Sequence, residues 1–202
     1  MKIICIGRNY SDHAKEMNAS LPTSPLFFFK PDTAILKTRD FYYPEFTNDL
    51  HYEIELVVKI SKVGKHITVE NAPNYYNEIG LGIDFTARDI QQECKEKGLP
   101  WEKAKAFDNS AVLSATFLNK KNIDLNNINF GLALNGETVQ SGNSCDMIFS
   151  IDYIISYISQ FVTLKTGDLI YTGTPKGVGP VKIGDKLVGH LENKVCIELK
   201  IK

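Results

Sequence analysis

Hydrophobic and polar residues alternate most cleanly between His51 and Ile60. Tyr52, Ile54, Leu56, Val58 and Ile60 share one parity, and Glu53, Glu55, Val57 and Lys59 share the other. That period predicts a half-buried strand. Residues i and i+2 of a strand point to one side, about 7 Å apart, so Glu53 and Glu55 present two carboxylates side by side. Two such anions repel each other unless water or a cation lies between them. A divalent cation is one reading of the pair. The other is a charged wet face on an edge strand, a common defence against aggregation.

The pattern elsewhere predicts a strand-rich chain with three helices. Lys2 to Ile6 and Leu26 to Phe29 read as strands, the second stopped by Lys30-Pro31. Between them, Ser11 or Asp12 caps a short helix running through Glu16 and Met17, which places His13 and Glu16 three apart on one face. Glu16 there can accept from the imidazole and fix its tautomer, or the two can be an idle surface pair. Asn18 to Pro25 is polar and turn-rich, and together with the His13 helix it is a candidate lid. Thr33 to Lys37 reads as a short extended piece. Tyr75 to Asp84 is a buried strand whose Gly80 and Gly82 mark a close backbone approach. Ala87 to Lys97 is a helix with Gly98 as its C-cap, so Asp84 sits where a strand gives way to a helix, with Arg88 and Gln91 on one helical face.

Further along, Lys103 and Lys105 lie among small and aromatic residues. Asn135-Gly136 marks a type I′ hairpin within Phe130 to Val139. Ser144 precedes an amphipathic helix whose apolar spacing identifies core. From Lys165 the chain is β. Lys165-Thr166-Gly167-Asp168 and Lys182-Ile183-Gly184-Asp185 echo one another as turns that feed strands. Between them the glycine-rich run from Tyr171 to Pro180 can bring backbone close to a small ligand.

Composition narrows the class. The 202 residues are 43% hydrophobic with a formal net charge of -1, which fits one domain spanning 1–202 and no nucleic-acid or membrane surface. No apolar run is long enough to span a bilayer. Cys5, Cys94, Cys145 and Cys196 are too dispersed for a zinc or redox pair, and they read as packing residues in a reducing cytoplasm. The chain opens directly into a strand, with no leader pattern.

Several words, in order, carry a family likeness: Gly7-Arg8-Asn9-Tyr10 with Asp12-His13, Phe29-Lys30-Pro31, Glu53-Ile54-Glu55-Leu56, Asp84-Phe85-Thr86-Ala87-Arg88-Asp89, and Thr172 through Pro180. With them the chain resembles the fumarylacetoacetate hydrolase family over nearly its whole length. Gly98-Leu99-Pro100-Trp101 and Met147-Ile148-Phe149-Ser150 match the short acylpyruvase and oxaloacetate decarboxylase members in particular. The resemblance implies an α+β, mainly β fold, a fumarylacetoacetase C-terminal-like mixed β-sandwich roll with about three helices, assembled as a homodimer. It implies that Glu53, Glu55 and Asp84 bind Mg²⁺ or Mn²⁺, and three hard oxygen donors agree with that choice. It gives His13 and Glu16 the catalytic dyad, Lys105 charge stabilisation, and Gln91, Lys105 and Thr174 contacts to a small 2-keto acid.

The implied reaction is hydrolysis of acylpyruvates to pyruvate and a carboxylate. His13 deprotonates the attacking water, and the cation stabilises the departing enolate. Oxaloacetate decarboxylation fits the same site without a water attack. An isomerase or tautomerase of a small 2-keto or 2-hydroxymuconate-type acid would use the same ligands, and a non-catalytic keto-acid-binding protein would have no need of the dyad.

Overall fold

The alternating stretch forms the strand Ile54–Ile60 at the heart of the main sheet. It appears so in a computed structural model of the chain that describes residues 1–16 and 20–202. Among these residues the main sheet has seven strands. Leu26–Lys30, Ile3–Gly7, Leu169–Tyr171, Ile54–Ile60, Tyr76–Asp84 and Ala111–Leu113 follow one another across it, and Leu118–Asn119 also pairs with Tyr76–Asp84. A five-stranded sheet packs against it, ordered Glu137–Asn143, Asn129–Leu134, Lys186–Leu191, Lys194–Ile201, Asp40–Phe41. A small three-stranded sheet of Gly179–Pro180, Leu50–Tyr52 and Thr86–Ala87 closes one end. The fold is mainly β, as the resemblance implies.

The expected half-burial of the central strand is corrected. Leu56 and Val58 pack into the large core with Leu132, Leu187 and Ile197 of the second sheet. On the other face Val57 packs with Ile3, Cys5, Leu169 and Tyr171. Only Lys59 of the strand is exposed. Alternation looked amphipathic because Glu53 and Glu55 are polar, yet both are buried. On that parity the two glutamates face a charged interior, Val57 an apolar one, and Lys59 alone reaches water.

Four α-helices lie among the described residues: Ser11–Glu16, Arg88–Lys97, Glu102–Lys105 and Ile151–Phe161. The single turn at Glu102–Lys105 is too short to leave a periodic signature. The expected helix from Ser144 starts seven residues later, because Ser144–Asp146 forms a 3₁₀ turn and Ser150 caps the helix through the Tyr153 N–H. The extended piece expected over Thr33 to Lys37 is only partly so: Asp32–Ala34 is a 3₁₀ turn, while Ile35 is extended and bridges Ala111. Met17 and part of the candidate lid lie outside the described residues.

Gly98 caps its helix in the left-handed region, and Asn135 and Gly136 have the positive φ values of the expected hairpin turn. The two echoed turns are alike for a physical reason: Asp168 accepts from the Lys165 N–H at 2.8 Å and Asp185 from the Lys182 N–H at 2.7 Å. Gly80 and Gly82 make room chiefly for rings, and only secondarily for backbone. A Cβ on Gly80 would stand 2.7 Å from Phe117, and one on Gly82 would collide with Tyr171. All four cysteines are free. Cys5 and Cys94 are packed as expected, whereas Cys145 is exposed and Cys196 half-buried. No described helix is long and apolar enough to cross a membrane.

Candidate metal centre and active site

Two paired strands, and the break that leads into one of them, deliver three acids to one point. Glu53 sits at the break between the strands Leu50–Tyr52 and Ile54–Ile60, and Glu55 lies two residues on. Asp84 ends the neighbouring strand, and its backbone N–H donates to the Glu53 carbonyl at 2.8 Å, which locks the two chains in register. One carboxylate oxygen from each of Glu53, Glu55 and Asp84 lies within 4.8 Å of the others. The residues are 6%, 1% and 1% exposed, so the acids cannot relax into water.

Buried anions need compensation. Arg88 Nη2 reaches Glu53 Oε1 at 2.6 Å. Lys105 Nζ bridges Glu53 Oε2 at 2.8 Å and Asp84 Oδ2 at 2.9 Å, and donates to Thr86 Oγ1 at 2.6 Å. Lys30 Nζ lies 2.7 Å from Asp84 Oδ1, though without an aligned hydrogen bond to that oxygen. Burial alone would raise the Glu53 pKa, but Lys105 and Arg88 outweigh it and hold the acid well below the carboxylate range. Burial likewise opposes the charged form of Lys105, yet Asp84 and Glu53 raise its pKa. Glu55 fares differently. Burial, then the charges of Asp84 and Glu53, push its pKa well up, and the Gly173 N–H at 2.7 Å offsets this only in part.

This donor set fits a hard divalent cation. It offers oxygen ligands only, one of them (Asp84 Oδ1) lacks an aligned donor, and one acid (Glu55) has no cationic partner among the described residues.

The predicted substrate-side residues converge on the same place. One small cavity is lined by His13, Glu53, Glu55, Asp84, Arg88, Gln91, Lys105 and Thr174, among others. Glu16 does not line it but stands behind His13: its Oε2 meets His13 Nδ1 at 3.2 Å. Glu16 in turn accepts from the Gly177 N–H at 3.0 Å. A carboxylate partner places the proton on Nδ1 and leaves Nε2 as the free acceptor. Gln91 Oε1 accepts from Arg88 Nη1 at 2.7 Å, so its NH₂ remains to donate.

Two buried residues outside the sequence-derived set complete the framework. Lys30, expected only to end a strand, donates to Ser110 Oγ at 2.9 Å and to the Lys105 carbonyl. Gln140 accepts from the Ile54 N–H at 2.9 Å and donates to the Pro175 carbonyl at 3.0 Å and Thr174 Oγ1 at 2.9 Å. The first two contacts fix which end of the amide is oxygen. Thr174 is therefore an acceptor toward Gln140, and its own hydroxyl proton is free for a ligand. The Phe29-Lys30-Pro31 word was the available signal for Lys30. For Gln140, a polar residue in a hairpin strand, there was none.

A family model described as "Fumarylacetoacetate (FAA) hydrolase C-terminal" matches residues 2–202. The mouse protein named oxaloacetate tautomerase FAHD1, mitochondrial, is 44% identical over 201 residues, covering 99% of this chain and 91% of its own. The mitochondrial oxaloacetate decarboxylase of Dictyostelium discoideum is 42% identical over 185 residues, 91% of this chain and 85% of its own. Among solved structures, fumarylpyruvate hydrolase from Pseudomonas aeruginosa in complex with Mn²⁺ and pyruvate superposes with a TM-score of 0.92. It is 34% identical, and the match covers 100% of this chain and 90% of that one.

Proposed function

From a chain that belongs to the fumarylacetoacetate hydrolase family, we propose an enzyme that uses Mg²⁺ or Mn²⁺ to enolise a small 2-keto acid, with keto–enol tautomerisation of oxaloacetate as its reaction. The observation that carries this reading is the meeting of three buried carboxylates with His13 around one cavity. The names of the relatives support it.

Glu53, Glu55 and Asp84 would hold the divalent cation, which when bound would supply Lewis-acid polarisation of the keto oxygen. The chain's own groups move the proton. His13 Nε2 takes it from C3, the C–H pair becomes the C2–C3 double bond, and the C2 carbonyl pair moves onto oxygen. Return of that proton to the oxygen gives the enol and restores neutral His13. Glu16 holds the ring orientation through Nδ1. Gln91 offers its NH₂ to the developing oxyanion, Lys105, whose three donors are held by Glu53, Asp84 and Thr86, contributes its positive charge beside it, and Thr174 offers its hydroxyl to the substrate carboxylate.

A second reading is C–C hydrolysis of an acylpyruvate, favoured by the anchored His13–Glu16 pair and by the fumarylpyruvate hydrolase neighbour. There His13 deprotonates water, the oxygen bonds to the distal carbonyl carbon, and the C3–C4 bond breaks. C3 then takes the proton, giving pyruvate and a carboxylate. Homodimerisation belongs to the same proposal by family likeness, and light scattering tests it.

The test is a parallel assay with Mg²⁺, Mn²⁺ and EDTA. It would follow ultraviolet keto–enol exchange of oxaloacetate, its decarboxylation, and hydrolysis of acetylpyruvate and fumarylpyruvate. Cation-dependent exchange, slowed at least roughly a hundredfold by His13→Ala, is expected. His13→Ala should also abolish any hydrolysis far more thoroughly than decarboxylation. Exchange at the same rate in EDTA overturns the proposal, and hydrolysis outpacing exchange puts the second reading first.

A further inference from the structure

Among the described residues, two cations in the cavity wall have no ion-pair partner. Arg88 and Lys105 are bound to Glu53 and Asp84, as described above. Arg8 and Lys95 line the same cavity, and among the described residues neither forms an ion pair or a side-chain hydrogen bond.

Their placement is specific. Arg88, Gln91 and Lys95 are spaced three and four apart on the helix Arg88–Lys97, so they form one stripe. The stripe starts beside Glu53 and reaches Lys95 about 10 Å farther along the axis. Lys95 Nζ stands over the Trp101 ring, 5.9 Å from its centroid, which narrows the space the side chain can sweep. Arg8 comes from another element, just past the strand Ile3–Gly7, and holds a left-handed backbone with φ 60°. That conformation is costly for a residue with a Cβ, and glycine would adopt it freely. Burial, then the like charges of Arg88 and Arg8, push the Lys95 pKa down. Four cations thus line one cavity, and among the described residues only the inner two, Arg88 and Lys105, have carboxylate partners.

We infer that Arg8 and Lys95 form a second anion subsite that takes the distal carboxylate of a 2-keto diacid whose keto-acid end lies at the carboxylate cluster. This deepens the proposed function and rests on it: oxaloacetate is itself a 2-keto diacid, and the added step is the assignment of its distal carboxylate to Arg8 and Lys95, a clamp that a keto acid with a neutral tail would not need. A neutral acyl chain would leave both cations unpaired, whereas a diacid satisfies them. The subsite makes the enzyme selective for diacids of the oxaloacetate or fumarylpyruvate kind over acylpyruvates with apolar tails.

The test is calorimetric binding in saturating Mn²⁺ of 2-oxoglutarate and of 2-oxopentanoate. These have the same carbon count and differ in the terminal carboxylate. The wild type is expected to prefer the diacid by roughly tenfold, the scale of one charge-assisted contact in a partly open site. Lys95→Met and Arg8→Gln should each bring the preference to within about twofold, and Lys95→Arg should retain most of it. A preference that survives both substitutions, or its absence in a wild type that binds 2-oxopentanoate, overturns the subsite and leaves the keto-acid reading standing. Failure of the wild type to bind either acid overturns both. Cation-induced stabilisation of each variant, measured alongside, verifies that the carboxylate cluster is intact.

Discussion

Lys30→Met is the sharpest probe of how the acidic cluster is held. Lys30 is 2% exposed, and its Nζ lies 2.7 Å from Asp84 Oδ1. At an effective dielectric of 20 the Coulomb attraction at that separation is about 6 kcal/mol. Methionine preserves the stem volume and removes the cost of burying an ammonium, which offsets part of this. Asp84 also keeps Lys105 as a partner. Against that, Ser110 Oγ and the carbonyls of Ser110 and Lys105 lose a donor inside the core. Removing one side of a buried pair costs about 3–5 kcal/mol, and the surviving Lys105 contact places the expected loss near the bottom, about 3 kcal/mol. With a urea m-value of roughly 2 kcal/mol/M, the midpoint in EDTA falls by about 1.5 M. The variant also leaves three carboxylates facing two cations, so saturating Mn²⁺ should recover at least about 1 kcal/mol more than it adds to the wild type. Urea titrations of both proteins, in EDTA and in Mn²⁺, supply the four numbers. A loss below about 1 kcal/mol, or one that Mn²⁺ leaves untouched, refutes the electrostatic role assigned to Lys30.

Mn²⁺ at about 100 times its Kd adds about 2.7 kcal/mol, which raises Tm by roughly 5–10 °C, and Glu55→Gln should abolish most of that shift in a thermal melt. Gln140→Leu deprives the Ile54 N–H, the Pro175 carbonyl and Thr174 of their partner; about 3 kcal/mol of stability should go, with weaker keto-acid binding by calorimetry. Gly177→Ala puts a Cβ into the Val139 carbonyl at a φ of 94°, so the Gly177 N–H should leave Glu16 and kcat should fall more than KM rises in a steady-state assay.

The acids and the dyad were legible because their chemistry is written in short spacings. Glu53 and Glu55 follow from strand period, and His13 and Glu16 from one helical turn. What the spacing misjudged was the environment. An alternating strand with two glutamates reads as half wet, and nothing local reveals that sheets and cations cover both its faces. The supports were hidden for a related reason. Lys30 reaches Ser110 across 80 positions, and Gln140 reaches Ile54 across 86. Local periodicity carries no trace of such pairs. The word Phe29-Lys30-Pro31 marked Lys30 only through family likeness, and Gln140 had not even that.

The same two residues explain why the cluster needs both sheets. Glu55 and Asp84 come from adjacent strands of one sheet, and Glu53 precedes the first of them with its carbonyl bonded to the Asp84 N–H, so pairing alone brings the three together. Pairing cannot keep three buried acids from repelling one another. Lys30 is contributed by the outermost strand of that sheet, and Lys105 by the helical turn Glu102–Lys105, tied to Lys30 through its carbonyl. Gln140 arrives from the second sheet and fastens the Ile54 N–H, between the two glutamates, to the loop that carries Gly173 and Thr174. Well-packed apolar residues would stabilise such an interior at least as well. A fold that surrounds three acids with three cations, leaving Glu55 only a backbone donor, trades stability for a charge pattern that a hard cation completes.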